Sequence, residues 1–186
     1  MDLDQKKSVL RHEILNALTV LGFMAEELPE DGQKKVASTL HMAGLLVKYE
    51  SLILGEQGSS FLEEFSLKDL MDLVLTVNED ILRQAVVAAP TADLRIKADR
   101  NQMKELLNLL IAILIEDSEE IGFEIEKKSL RISYKGKTLE KPAMDMLDCL
   151  QKRDMQGFQL GLIEELGKLN EVKVEYAEKE IRLDFI

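Results

Sequence analysis

The chain has 186 residues, 46% of them hydrophobic, and its 24 basic side chains against 35 acidic ones give a net charge of −11. This length allows one large domain or two small ones with a core of ordinary size. The acidic balance argues against a nucleic-acid partner, because binding to a phosphate backbone requires clustered lysine and arginine. A single cysteine, Cys149, excludes an internal disulfide and a zinc site built from cysteines.

The sequence also argues against a membrane protein. Its start lacks the basic and then apolar pattern of a signal peptide, and the longest apolar run, residues 106–115, is too short to span a bilayer. We therefore expect a cytoplasmic protein without a membrane partner, and we expect this run to form a buried helix.

The first elements are predicted to be two helices joined by a short turn. Helical apolar spacing covers about Asp4 to Leu28 and again roughly Gln33 to Leu54, and the turn-forming Pro-Glu-Asp-Gly lies between them. The stripe on the first helix consists of Leu10, Ile14, Ala17, Leu21, Met24 and Leu28. A lone hairpin cannot bury both of its apolar faces, so we expect a homodimer that completes a four-helix bundle; packing on the rest of the chain is the alternative.

A polar, glycine-containing linker, residues 55–60, divides the chain. We predict a hairpin domain over residues 1–58 and a second domain over residues 59–186. The second domain is expected to begin with a helix capped by Ser66, followed by a strand, a helix, a strand hairpin, a helix and a closing strand hairpin. This order predicts an α+β fold, an α/β sandwich in which one mixed sheet is covered by helices on one face.

His12 is one of two histidines and lies off the apolar stripe of the first helix. Leu10 and Ile14 are each two residues away, about 200° round the helix, so the imidazole is expected to face solvent. Asn16 shares its face and Glu13 lies beside it. A carboxylate next to a neutral imidazole can fix its tautomer and stabilise the charge that grows as the ring attacks, which suits phosphoryl transfer. From spacing alone, an ordinary solvent-facing histidine remains the alternative.

The string R-H-E-I-x-N-x-L-T, which starts at Arg11, resembles the phosphoacceptor box of two-component histidine kinases. In that family the histidine lies on the first helix of a dimeric hairpin and is followed directly by a glutamate. The resemblance implies that His12 is phosphorylated, that Glu13 is its acid/base partner, and that Asn16 orients a water or the phosphoryl group. Ala17 replaces the usual proline, which removes a helix bend but no chemistry.

The order of the domains is similar to that family too, because an ATP-binding α+β sandwich follows its hairpin. Residues 65–77 resemble the opening helix of that domain, and residues 97–114 resemble the helix that carries its metal-binding asparagine. Residues 157–186 resemble its last helix and closing strands.

The nucleotide-binding boxes of the family are broken in this chain. Ala112 stands where the Mg²⁺-binding asparagine is expected and has no oxygen to offer a hard cation. Residues 134–138, Tyr-Lys-Gly-Lys-Thr, lack the aspartate and the second glycine of the adenine box. In residues 157–162, Gln159 replaces the middle glycine of the phosphate box and brings a side chain to a place of close approach. The stretch between these last two boxes is also too short for a full ATP lid.

Together these features predict a histidine phosphotransferase that shuttles a phosphoryl group between the aspartates of response-regulator receiver domains through His12, without binding ATP. No cofactor is expected on this chain, since Mg²⁺ would be held by the receiver. The receiver is expected to dock on the first helix, at Leu15, Thr19, Val20 and Phe23. The alternatives are a non-catalytic dimeric adaptor and a phosphatase that uses Glu13 and Asn16 on a phosphorylated receiver.

Overall fold

The computed structural model describes residues 14–16, 18–50, 62–140, 148–149, 152 and 154–186. The chain divides into two compact units, Met1–Gly55 and Glu56–Ile186. The predicted domain boundary between residues 58 and 59 lies outside the described residues. None of the helices in the described part of the chain is long and apolar enough to cross a bilayer.

The first unit contains two helices, as the sequence predicts. Helix α1 is described over residues 14–16 and 18–25, and helix α2 spans Glu30–Tyr49.

The turn between α1 and α2 is held by the side chain of Gln33. Its Nε2 donates hydrogen bonds of 2.8 Å to the carbonyls of Glu26 and Leu28, which follow the end of α1. The backbone N–H of Gln33 donates to the carbonyl of Pro29 at 3.0 Å. Because carbonyls in a turn lack the regular partners of a helix, this one side chain satisfies two groups that would otherwise need water.

The second unit combines helices with strands. Its elements are β1 (Leu62–Ser66), α3 (Leu67–Val77), α4 (Glu79–Leu82), β2 (Val86–Ala88), β3 (Arg95–Asp99), α5 (Arg100–Asp117), β4 (Glu120–Glu126), β5 (Ser129–Lys135), α6 (Met155–Leu169), β6 (Val172–Ala177) and β7 (Glu180–Phe185).

The strands of the second unit form two sheets. A two-stranded antiparallel sheet joins β1 to β3, and a five-stranded mixed sheet has the order β2-β4-β5-β7-β6. Strand β2 runs parallel to β4, and the other neighbours in this sheet are antiparallel. Along β4, and along β5 from Leu130 on, buried side chains alternate with more exposed ones, most of which are charged. The predicted α+β sandwich is therefore confirmed for this unit, whereas the prediction of a single sheet is wrong.

Two strands, β1 and β2, are absent from the sequence prediction. The long helix predicted after Ser66 ends at Val77, and the residues that follow form α4 and the three-residue β2. Both strands depend on partners distant in sequence: Phe65 of β1 lies opposite Ile96 of β3, and β2 pairs with β4. Strands of five and three residues are too short to show a periodicity that separates a strand from the end of a helix.

Capping side chains mark the starts of the long helices α3 and α5 in the second unit. The hydroxyl of Ser66 accepts a hydrogen bond from the backbone N–H of Asp69 at 3.0 Å, as predicted for α3. The carboxylate of Asp99 accepts from Asn101 and Gln102 at 2.9 and 3.0 Å at the start of α5. Each such cap stabilises the fold by about 1 kcal/mol.

The core of this unit lies between the five-stranded sheet and the helices. The apolar run at residues 106–115 is the buried part of α5, as predicted. Large side chains that are fully buried include Leu67, Leu70, Met71, Leu106, Leu110, Ile111, Ile121, Leu130 and Phe158.

Candidate functional site

The outward face of α1 is where the sequence places the phosphoryl chemistry. His12 and Glu13 lie outside the described residues, so their roles stay predictions. Asn16 is described, and it is exposed on α1. Thr19 and Phe23 follow Asn16 at three and seven residues, so the helical repeat puts the three on one face.

The residues predicted to dock a partner are all exposed. The exposed fraction is 42% for Leu15, 56% for Val20 and 66% for Phe23. The hydroxyl of Thr19 donates to the carbonyl of Leu15 at 2.9 Å, so its proton is used within the helix. This part of α1 therefore presents large apolar side chains to water, which is typical of a contact surface when they adjoin one another.

A different face of α1 packs against α2. Ala25 is buried, Leu18 and Gly22 are half-buried, and a methyl group added at Gly22 would lie 3.5 Å from Cδ1 of Leu40. The described large side chains of the predicted stripe remain exposed instead, and these are Ile14, Leu21, Met24 and Leu28. Helix α1 thus carries an apolar stripe that its own hairpin does not cover.

In the second unit, the position of the expected metal ligand has no donor atom. Ala112 lies half-buried on α5. One turn earlier, Asn108 uses its Oδ1 to accept a hydrogen bond of 2.9 Å from Nδ2 of Asn78, and the same Nδ2 donates to the carbonyl of Val74 at 2.8 Å. That carboxamide oxygen therefore joins α5 to the end of α3. Within the described residues, no group of three or more His, Cys, Asp or Glu side chains is arranged to hold a metal ion.

Residues 134–138, at the end of β5, contact other residues of the second unit. The hydroxyl of buried Tyr134 accepts a hydrogen bond from the backbone N–H of Leu139 at 2.9 Å. A Cβ atom at Gly136 would collide with the carbonyl of Asp117 at the end of α5, and the ammonium group of Lys179 contacts the carbonyl of Gly136. The close approach of two backbone segments explains the glycine at this position.

The start of α6, where the broken phosphate box lies, is capped by the chain's own carboxylate. Oδ1 of Asp154 accepts a hydrogen bond of 2.9 Å from the backbone N–H of Gly157. A Cβ atom at Gly157 would overlap this carboxylate and would lie 2.7 Å from Sγ of the fully buried Cys149. Gln159 is buried, with 5% of its surface exposed. Helix N-termini bind anions through free N–H groups, and here one of those groups is already bound to a carboxylate.

Asp154 has no role in the sequence prediction. The sequence nevertheless contains a local signal for this role, because an aspartate immediately before an apolar helical run is a common N-cap.

Comparisons with known proteins identify the fold. No protein-family model matches this sequence, and no curated protein does. Among solved structures, the Acinetobacter baumannii histidine kinase AdeS is 20% identical with a TM-score of 0.53, and the match covers 94% of each chain. Histidine kinase ThkA in complex with response regulator protein TrrA is 21% identical with a TM-score of 0.54, over 97% of this chain and 60% of that one.

The cytoplasmic segment of histidine kinase QseC is 14% identical with a TM-score of 0.52, and the match covers 81% of this chain and 92% of that one. These structures show that the chain has the fold of the histidine kinases, which confirms the predicted resemblance at the level of the fold.

Proposed function

We propose that this chain is a histidine phosphotransferase of a two-component phosphorelay, which carries a phosphoryl group on His12 between receiver domains and does not use ATP. One observation carries the proposal. The chain has the histidine kinase fold, while the positions that the resemblance assigns to ATP contacts carry groups ill suited to them: Ala112 in place of a metal ligand, buried Gln159, and the Asp154 carboxylate on the N–H of Gly157.

The electrostatics at the start of α6 oppose nucleotide binding. A phosphate that approached the N–H of Gly157 would meet the carboxylate of Asp154, which already accepts from that donor. Two anions competing for one donor repel each other, and the repulsion grows where water is excluded. With alanine at position 112, the usual Mg²⁺ ligand that would help to offset the charge of a triphosphate is missing as well.

The reaction needs no nucleotide and no metal on this chain. A ring nitrogen of His12 attacks the phosphorus of a receiver's aspartyl phosphate, an N–P bond forms, the O–P bond breaks, and the carboxylate leaves. In the second step the aspartate of another receiver attacks, and His12 departs as neutral imidazole. Glu13 accepts a hydrogen bond from the other ring nitrogen of His12 and stabilises the positive charge of the ring. Asn16 orients the phosphoryl group. Mg²⁺ held by the receiver would neutralise the charge of the phosphoryl oxygens.

Two surfaces of α1 support the expected partners. The exposed Leu15, Val20 and Phe23 offer a receiver an apolar contact beside the phosphoacceptor position. The exposed stripe that includes Leu21 and Met24 offers a second copy of the chain the contact that completes a four-helix bundle. A receiver partner also agrees with the complex of ThkA and TrrA, which pairs a protein of the same fold with a response regulator.

A transfer assay tests the proposal. Receiver domains of the source organism are labelled on aspartate with radioactive acetyl phosphate and mixed with the full chain. We expect label on the wild-type protein and on the His41→Ala variant, which removes the only other histidine, and none on His12→Ala. If the label is released as inorganic phosphate without transfer, the chain is a phosphatase of receivers and not a phosphotransferase. If the chain binds receivers but the label stays on them, it is a non-catalytic adaptor. Labelling of His12 from radioactive ATP would overturn the claim that ATP is not used.

A further inference from the structure

A groove runs along one edge of the five-stranded sheet, and no role in phosphotransfer accounts for it. Its volume is about 580 Å³. One wall is formed by Thr138, Leu139 and Glu140, and the other by residues 174–178, which include most of β6. We call it the β6 groove.

The β6 groove follows the backbone of an edge strand. Strand β6 is last in the sheet order, pairing with β7 on one side and with no described strand on the other. Alternate residues of a strand point to opposite faces of a sheet, so a groove lined by five consecutive residues borders the edge and not one face. The N–H and C=O groups along such an edge can pair with an added strand.

The lining of the β6 groove is apolar and acidic. Leu139 is buried, and Val174 and Tyr176 are half-buried. Glu140, Glu175 and Glu178 supply three carboxylates, and among the described lining residues none is lysine or arginine. Glu175 forms an ion pair with Lys173, which lies outside the groove.

We propose that the β6 groove binds an extended segment of another protein that alternates basic and apolar residues, and that this segment adds to the sheet as a strand beside β6. Its backbone pairs with the edge of β6 that no described strand covers, its apolar side chains contact Val174 and Tyr176, and its lysines or arginines face Glu140 and Glu178. The β6 strand of a second copy offers Lys173 as its one basic residue, so a segment richer in lysine or arginine fits the three carboxylates of the groove better. The inference is independent of the chemistry of His12.

A peptide-binding experiment on the full chain tests this inference. The probe is a fluorescent octapeptide of alternating lysine and valine, and the comparison peptide alternates glutamate and valine. We expect the lysine peptide to bind and to slow hydrogen exchange of the amides of β6, and the glutamate peptide to do neither.

Two double variants distinguish peptide binding in the β6 groove from nonspecific attraction of a basic peptide to an acidic protein. Glu140→Lys with Glu178→Lys reverses the groove charge, and Glu63→Lys with Glu64→Lys makes the same change at exposed positions of β1. We expect the groove variant to weaken binding at least about tenfold and the β1 variant to change it less than about twofold, with unchanged circular dichroism in both. The inference is overturned by an equal loss in both variants, by protection of amides elsewhere than β6, or by no binding to the wild type.

Discussion

Asn170, which follows α6, offers a sharp test of how the second unit is held together. Its side chain is 3% exposed. Its Oδ1 accepts a hydrogen bond of 2.7 Å from the backbone N–H of Asp99, and its Nδ2 donates at 2.8 Å both to Oε1 of Gln102 and to the carbonyl of Leu166. One carboxamide therefore joins the end of α6 to the cap of α5.

The cost of removing this carboxamide can be estimated from its bonds. Each hydrogen bond contributes about 1 kcal/mol net, and a buried donor left without an acceptor costs at least as much again. We expect Asn170→Ala to lower the free energy of unfolding of the second unit by about 3 kcal/mol. The matched control is Asn101→Ala, which removes the same group from an exposed position on α5 and should change stability by less than about 0.5 kcal/mol.

Urea denaturation of the full chain, followed by circular dichroism, measures the difference between the two variants. Because two units need not unfold in one transition, native-state hydrogen exchange of the amides in α5 and α6 assigns the loss to the second unit. If the two variants lie within about 1 kcal/mol of each other, Asn170 is not the junction inferred from these bonds.

Two further predictions concern the second unit. The pKa of Asp93 is lowered by the hydroxyl of Ser66 and then by backbone N–H groups, so its stabilising effect is present above its unfolded value of 3.8 and is lost as the pH falls through the lower folded value. Wild type should therefore be more stable than Asp93→Asn at about pH 7, with a difference that shrinks towards about pH 2 in urea titrations; a constant difference would contradict the assignment. Burial raises the pKa of Tyr176, with a smaller effect of Glu164, and its hydroxyl has no hydrogen-bond partner among the described residues. Tyr176→Phe should thus raise the free energy of unfolding by about 1 kcal/mol in the same titration, and a lower stability would show that the hydroxyl is bonded in solution.

Features set by neighbours in sequence could be predicted from the sequence. Helical spacing indicated the two helices of the first unit, and Ser66 marked the start of α3. The predicted turn at residues 29–32 was wrong in part, because Glu30, Asp31 and Gly32 form the first turn of α2 after Pro29. Alternation on either side of short turns indicated the β4–β5 and β6–β7 hairpins. Such patterns work because a cap, a turn and an amphipathic face are each fixed within a few residues.

Alanine at position 112 offers no metal ligand, and glutamine at position 159 adds a side chain where the resemblance expects glycine, so the sequence by itself already suggested the proposed loss of ATP use. Only the tertiary structure decided which groups lie around these positions. It places the carboxylate of Asp154 on the N–H of Gly157, and among the described strands it leaves β6 at the edge of its sheet, beside Glu140. Strands β1 and β2 likewise exist through pairing with β3 and β4, far along the chain. These features depend on groups that come together only when distant segments of the chain fold against one another. The local periodicity of the sequence carries no information about such contacts.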